Sequence, residues 1–237
     1  MKKIYIISVL SILLVYSNTL YSQRIVEKSS PVSSEDDITL VFKFANEIKI
    51  TTWDKNEVFV KASVNINDNK NNDNFELNFK QRSTGLEIES EIINMDDLRQ
   101  RKRIVKEDKN GDEIIINNCT VEMELFFEVK VPVNAGIEIE TISGDIEIDG
   151  VLGRMDINTI SGFIDLSLPE NHNADIELNT ISGNMYSDFD FKSDVEKGYH
   201  HYRHREISKR INQGGSRIFL KTISGNIYLR KSSNSKF

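Results

Sequence analysis

Along the second half of the chain, apolar and polar positions alternate in short runs that break at a recurring Thr-Ile-Ser-Gly. The four copies start at Thr141, Thr159, Thr180 and Thr222 and end at Gly144, Gly162, Gly183 and Gly225. Their starts are 18, 21 and 42 residues apart. Aligned on the threonine, apolar residues recur four positions before it (Ile137, Met155, Ile176, Ile218) and two before it (Ile139, Ile157, Leu178, Leu220). They recur again one position after it (Ile142, Ile160, Ile181, Ile223) and five after it (Ile146, Ile164, Met185, Ile227). Seven positions after it come Ile148, Leu166, Ser187 and Leu229, Ser187 being the one polar member. The positions between are mostly polar, among them Glu138, Asp156, Glu177, Glu147 and Asp165.

A period of two over about five residues is that of a half-buried strand. Each unit therefore reads as strand, corner, strand, with the corner isoleucine counted among the inward residues. Glycine suits a corner that needs a positive φ or close backbone approach. Two short strands cannot bury their own apolar face, whereas stacked copies turn each position into a continuous ladder. The pattern predicts an all-β fold: a β-solenoid, parallel β-helix-like, of 18–21-residue repeats closed by its C-terminal copy. The gap of 42 reads as one missing or heavily decorated unit. The alternative is an antiparallel sandwich that uses similar hairpins.

Weaker copies of the rhythm lie upstream. In "NEIKITTWDKNEVFVKASV", Ile48, Ile50 and Thr52 fall in register, Trp53 stands for the corner isoleucine, and Val58 and Val60 resume the alternation. "NFELNFKQRSTGLEIESEI" repeats strand, turn, strand with Phe75, Leu77, Phe79, Leu86 and Ile88. Two charged insertions interrupt the pattern. One spans 94–113, reads as a projecting hairpin or loop and carries an Asn110-Gly111 turn signal. The other spans 190–215 and reads as a loop at a binding face.

The runs "VPVNAGIEIETISGDIEI", "EIKITTWDKNEVFVKA" and "GGSRIFLKTISGNIYLRK" resemble a family of secreted bacterial β-strand-repeat proteins described as candidate adhesins and counted among domains of unknown function. The resemblance extends from Ile38 to Lys231. It implies a β-solenoid, an envelope or secreted location and no established catalytic site. No functional residue is carried over, because the shared residues are architectural.

Composition narrows the function. The 237 residues carry a net charge of −7, which argues against a nucleic-acid partner needing a basic face. Cys119 is the only cysteine, so neither an internal disulfide nor a cysteine zinc site is available. Met1-Lys2-Lys3, the apolar run Ile4 to Tyr16 and the small polar stretch Ser17 to Gln23 read as a signal peptide over 1–22. The expected mature domain is 23–237, exported to the periplasm, cell surface or medium, with no transmembrane segment after cleavage.

His200 and His204 have the i, i+4 spacing of metal ligands, but Arg203, Arg205, Lys209 and Arg210 oppose a divalent cation. Tyr199, His200, His201, Tyr202 and His204 read instead as a partner-contact loop. The stacked acids Glu138, Asp156 and Glu177, with Glu147 and Asp165, read as a solvated face rather than a calcium ladder. Tyr186 and Tyr228 fall in one outward column near Phe163 and Phe219, suited to strand stabilisation or to sugar or protein contact. No nucleophile, base or paired carboxylates stand out, so the expectation is a non-catalytic protein with no cofactor and no metal. Its expected partners are protein, envelope or glycan surfaces. A carbohydrate-active enzyme on the same scaffold and an envelope signalling partner are the alternatives.

Overall fold

Rows of inward side chains organise the protein. The computed structural model describes residues 22–33, 36–107, 113–150, 152–189 and 205–232. The strands are β1 (Arg24–Pro31), β2 (Asp37–Val41), β3 (Phe44–Trp53), β4 (Glu57–Ile66), β5 (Phe75–Arg82) and β6 (Gly85–Ile92). They continue as β7 (Gln100–Glu107), β8 (Glu113–Thr120), β9 (Met123–Pro132), β10 (Gly136–Asp149), β11 (Met155–Ser161) and β12 (Ile164–Leu168). The last are β13 (Ala174–Ser182), β14 (Met185–Ser187), β15 (Arg205–Ile211), β16 (Ser216–Ser224) and β17 (Ile227–Lys231). The fold is all-β. All but β7 and β8 join one large open sheet of fifteen strands, and those two pair with each other.

The sheet has two arms that share β10. On the first arm, β6, β2, the leading half of β10, β11, β16 and β13 run parallel in that order. On the second, β9, β3, the trailing half of β10, β12, β17 and β14 do the same. Each parallel level is a strand from each arm joined at a corner. Antiparallel strands finish the ends: β5 against β6, β15 against β13, and β4 then β1 beyond β9.

Register makes the ladders explicit. Leu86, Ile38, Ile137, Met155, Ile218 and Ile176 form one row, and Ile88, Leu40, Ile139, Ile157, Leu220 and Leu178 the next. Phe127, Ile48, Ile146, Ile164, Ile227 and Met185 form a row on the second arm. Nearly all of these residues are buried in one apolar core. The ring centroids of Phe75 on the first arm and Phe127 on the second lie 6.2 Å apart, tying the arms together.

Three sequence expectations need correction. First, the levels do not stack in chain order. Level 216–231 lies between 155–168 and 174–187, and level 37–53 lies between the one built from β6 and β9 and level 136–149. The C-terminal copy is therefore internal, and the third copy with β15 closes that end. The 42-residue gap is a detour that returns to insert a strand, not a missing level. Second, Ile48 and Ile50 pair with Ile146 and Ile148, so they follow a corner instead of preceding one. Their corner lies at Phe42–Ala45, and Trp53 ends β3 before the turn into antiparallel β4. Third, 75–92 is an antiparallel hairpin rather than a whole level: β6 alone joins the parallel stack, beside β2, and its level is completed by β9.

The charged segment 94–113 leads into the hairpin β7–β8, which leaves the stack at the corner joining β6 to β9. The expected signal peptide, the Asn110-Gly111 turn and most of the 190–215 insertion lie outside the described residues. So do Tyr199, His200, His201, Tyr202 and His204. The tail of that insertion is β15 and the turn after it. No helix among the described residues is long and apolar enough to cross a membrane.

Candidate functional site

The corners turn sequence pattern into a surface. Strand parity carries the inward row on to the threonine, so Thr141, Thr159, Thr180 and Thr222 are buried. A threonine survives there because its methyl faces the core while its hydroxyl finds a backbone acceptor, as a buried hydroxyl must. Thr141 donates to the Ser143 carbonyl at 2.8 Å and Thr159 to that of Ser161 at 3.2 Å. Thr222 donates across to the Gly162 carbonyl at 3.2 Å, and Thr180 to that of Gly225 at 3.0 Å.

The glycines form the next rung. A Cβ on Gly162 would sit 2.1 Å from the Gly144 carbonyl oxygen. One on Gly225 would meet that of Gly162 at 1.9 Å, and one on Gly183 that of Gly225 at 1.8 Å. Gly144 and Gly162 also have φ of +132° and +129°, which side chains rarely adopt. Corner side chains cap the neighbouring level: Asp145 Oδ1 accepts the Phe163 N–H at 3.1 Å and Asn226 Oδ1 that of Asn184 at 2.9 Å.

Threonine inside puts isoleucine outside, which corrects the expected inward row at that position. Ile142 is 42% exposed, Ile160 47%, Ile223 40% and Ile181 41%. Thr141 and Ser143 pair with Thr159 and Ser161, and those with Thr222 and Ser224, so the isoleucines between them share one row. Val41, Lys43, Glu140, Asn158 and Lys221 line a shallow groove of about 350 Å³ with Ile142, Ile160 and Ile223. A contiguous exposed aliphatic row with polar margins is the usual signature of an interaction surface. Sequence reasoning missed it by reversing the strand parity one residue too early. The available signal was that a threonine ladder at a corner can be inward when carbonyls lie in reach.

The outward aromatic column forms as the sequence suggested. Tyr186 and Tyr228 stack at 5.1 Å and 9°, and Phe163 meets Tyr228 edge-on at 6.0 Å. Phe219 lies on the other arm, where Arg217 covers it at 5.3 Å. It also stands between Asp156 and Glu177, splitting the acidic column. Glu147 and Asp165 adjoin, but Lys49 lies 3.8 Å from Glu147 and Arg230 2.8 Å from Asp165. The hydrogen bond and charge of Asp165 push the Arg230 pKa further up. Among the described residues no group of three or more His, Cys, Asp or Glu is placed to hold a metal ion.

His172, in the turn before β13, is the one perturbed histidine described. Its Nε2 is buried without a hydrogen-bond partner, and desolvation pushes its pKa down. The same turn is clasped by Asn212, whose Nδ2 donates to the Glu170 and His172 carbonyls at 3.1 and 2.7 Å.

A family model for the Toastrack DUF4097 domain matches residues 64–230, most of the stack. The chain belongs to that family. Among solved structures it is similar to a candidate cell adhesion protein from Clostridium sporogenes, with 11% identity and a TM-score of 0.50. That match covers 88% of this chain and all of the other, and at such identity it is a likeness of fold. Candidate adhesins from Parabacteroides merdae and Bacteroides fragilis match at 11% and 8% identity, with TM-scores of 0.25 and 0.22. They cover 69% and 88% of this chain, and 69% and 98% of their own. A comparison with curated proteins found no match. The Toastrack stack thus presents one aliphatic row, at its corners.

Proposed function

We propose that this Toastrack protein is a non-catalytic, adhesin-like scaffold: a short β-solenoid whose outward isoleucine row binds protein or envelope surfaces. The exposure of Ile142, Ile160, Ile181 and Ile223 in one row carries the reading. Four aliphatic side chains held 40–47% in water are a poor use of the hydrophobic effect unless something covers them. The rungs beneath are rigid, because glycine contact and threonine hydrogen bonds fix the four Thr-Ile-Ser-Gly corners. A surface that is preformed loses little entropy on binding.

The cell-adhesion name of the Clostridium sporogenes neighbour and the N-terminal Lys-Lys-apolar pattern support an exported location, at the surface or outside the cell. Glycan contact at the Tyr186–Tyr228 column is a secondary site in this scheme. The absence of a catalytic role is part of the proposal and rests on the even spread of paired acids over the surface.

The test is retention of purified, labelled protein on intact bacterial cells and on envelope fragments. Ile160→Glu should keep the wild-type melting curve while retention falls several-fold, since a charge in an apolar contact is costly. Wild-type retention by that variant would remove the row from the function. Cell fractionation tracks the location, and a purely cytoplasmic chain would contradict it.

A further inference from the structure

We infer that the isoleucine row is a self-association surface, and that its occupant is the same row on a second copy of this chain, antiparallel about a two-fold axis at Ile160. The inference rests on the binding reading above and names its partner. Period comes first. The row advances by one strand spacing per residue, about 4.8 Å. An extended peptide presents side chains on one face about every 6.6 Å, and an α-helix advances about 5.4 Å per turn. Another β-stack matches the spacing of the row, so two rows can interdigitate as facing sheets do in a dry zipper.

Charge then fixes direction and centre. Beside the isoleucines runs the column Glu140, Asn158, Lys221, paired in adjacent registers. Glu140 and Lys221 therefore lie one strand to either side of Asn158, as Ile142 and Ile223 lie to either side of Ile160. Neither charge has an ion-pair partner among the described residues. A two-fold axis at Ile160 sets Glu140 opposite Lys221 of the partner subunit, and Lys221 opposite the partner's Glu140. A parallel arrangement of the two rows loses both pairs. The most exposed member of the row, Ile160 at 47%, meets its own copy on the axis. Such an isologous patch needs no second kind of surface.

The area sets the strength. About this axis Ile142 faces the partner's Ile223 and Ile160 faces the partner's Ile160, while Ile181 lies beyond the contact. Three half-exposed isoleucines offer on the order of two hundred Å² per copy, below the roughly 800 Å² per partner of a stable complex. The contact is accordingly weak in solution, and many copies on apposed surfaces would add through multivalency.

Sedimentation equilibrium on the purified chain tests this. The wild type should dimerise reversibly, and Glu140→Lys or Lys221→Glu alone should weaken dimerisation about tenfold or more. The double exchange Glu140→Lys with Lys221→Glu should restore it, which a general effect of charge would not. In a Cys119→Ser background, Ile160→Cys should oxidise to a symmetric intermolecular disulfide, whereas Thr51→Cys on the second arm should not. A wild type that stays monomeric to about 1 mM, a double exchange that fails to rescue, or equal cross-linking through Thr51→Cys overturns the proposal. Were the pure chain monomeric while Ile160→Glu still abolished retention on cells, only the self-pairing would fall. Loss of both effects would take the binding reading with it.

Discussion

The two halves of the stack solve one corner problem with different side chains. From 136 to 231 the inward corner residue is threonine, the next rung is glycine, and levels meet through carbonyl contacts. At the N-terminal end Phe42 fills the threonine's place and Ala45 the glycine's, because level 37–53 lies in register with level 136–149. Phe42 stacks on Phe127 at 4.1 Å and 12°, while the level beyond offers only Ser90 in that column. Large against small fills the row. One half is held by backbone proximity and polar satisfaction, the other by aromatic packing. An inward corner therefore demands only that the residue be volume-matched and leave no polar atom unpaired.

The largest expected effect erases the contrast between halves and tests what they share. Ile157 is fully buried in the central row, so Ile157→Asp should abolish folding or cost several kcal/mol in a urea melt. Three residues on, Ile160→Asp should shift stability by only about 0.5 kcal/mol. Equal damage from both would refute the inside-outside assignment. Next, Phe42→Ala should cost about 3–5 kcal/mol through the cavity against Phe127. In the glycine half, Gly162→Ala combines a positive φ with a 2.1 Å clash on backbone and should cost about 2–3 kcal/mol, read by thermal melting. Thr180→Val keeps shape but leaves the Gly225 carbonyl without its donor, for about 1–2 kcal/mol.

The smallest effect is a pH dependence confined to the C-terminal half. Burial holds the His172 pKa below its usual 6.5, so the folded state favours the neutral ring. Its contribution is complete above about pH 6.5 and declines as pH falls below that value toward the folded pKa. A His172→Gln chain should lose this part of the acid sensitivity in melting temperature between about pH 7 and 5. Identical pH profiles would mean that the ring is already solvated.

How far the sequence could be read follows the same division. Period-two aliphatic runs placed Ile137, Ile139, Ile146, Ile148 and their equivalents correctly, because parity within a strand is a local property. The orientation of Ile142 and its copies was not legible, since it depends on where in the corner the parity reverses. That point is set by whether a carbonyl of the same or the next level reaches the threonine hydroxyl. Nor was the order of levels legible: four nearly identical copies fit one another in any sequence, and the intervening chain decides. The Phe42 corner stayed hidden because it shares no letters with Thr-Ile-Ser-Gly. Its meaning appears only beside Phe127, more than eighty residues away.

The position of level 216–231 has a temporal consequence. A polypeptide made from its N-terminus exposes the inner edges of β11 and β13 before the strand that separates them exists. The two edges carry the same inward pattern, so pairing them directly is an accessible wrong turn. Completion has to wait for residues 216–231, and any fragment that stops short of them is left with a seam open in its interior.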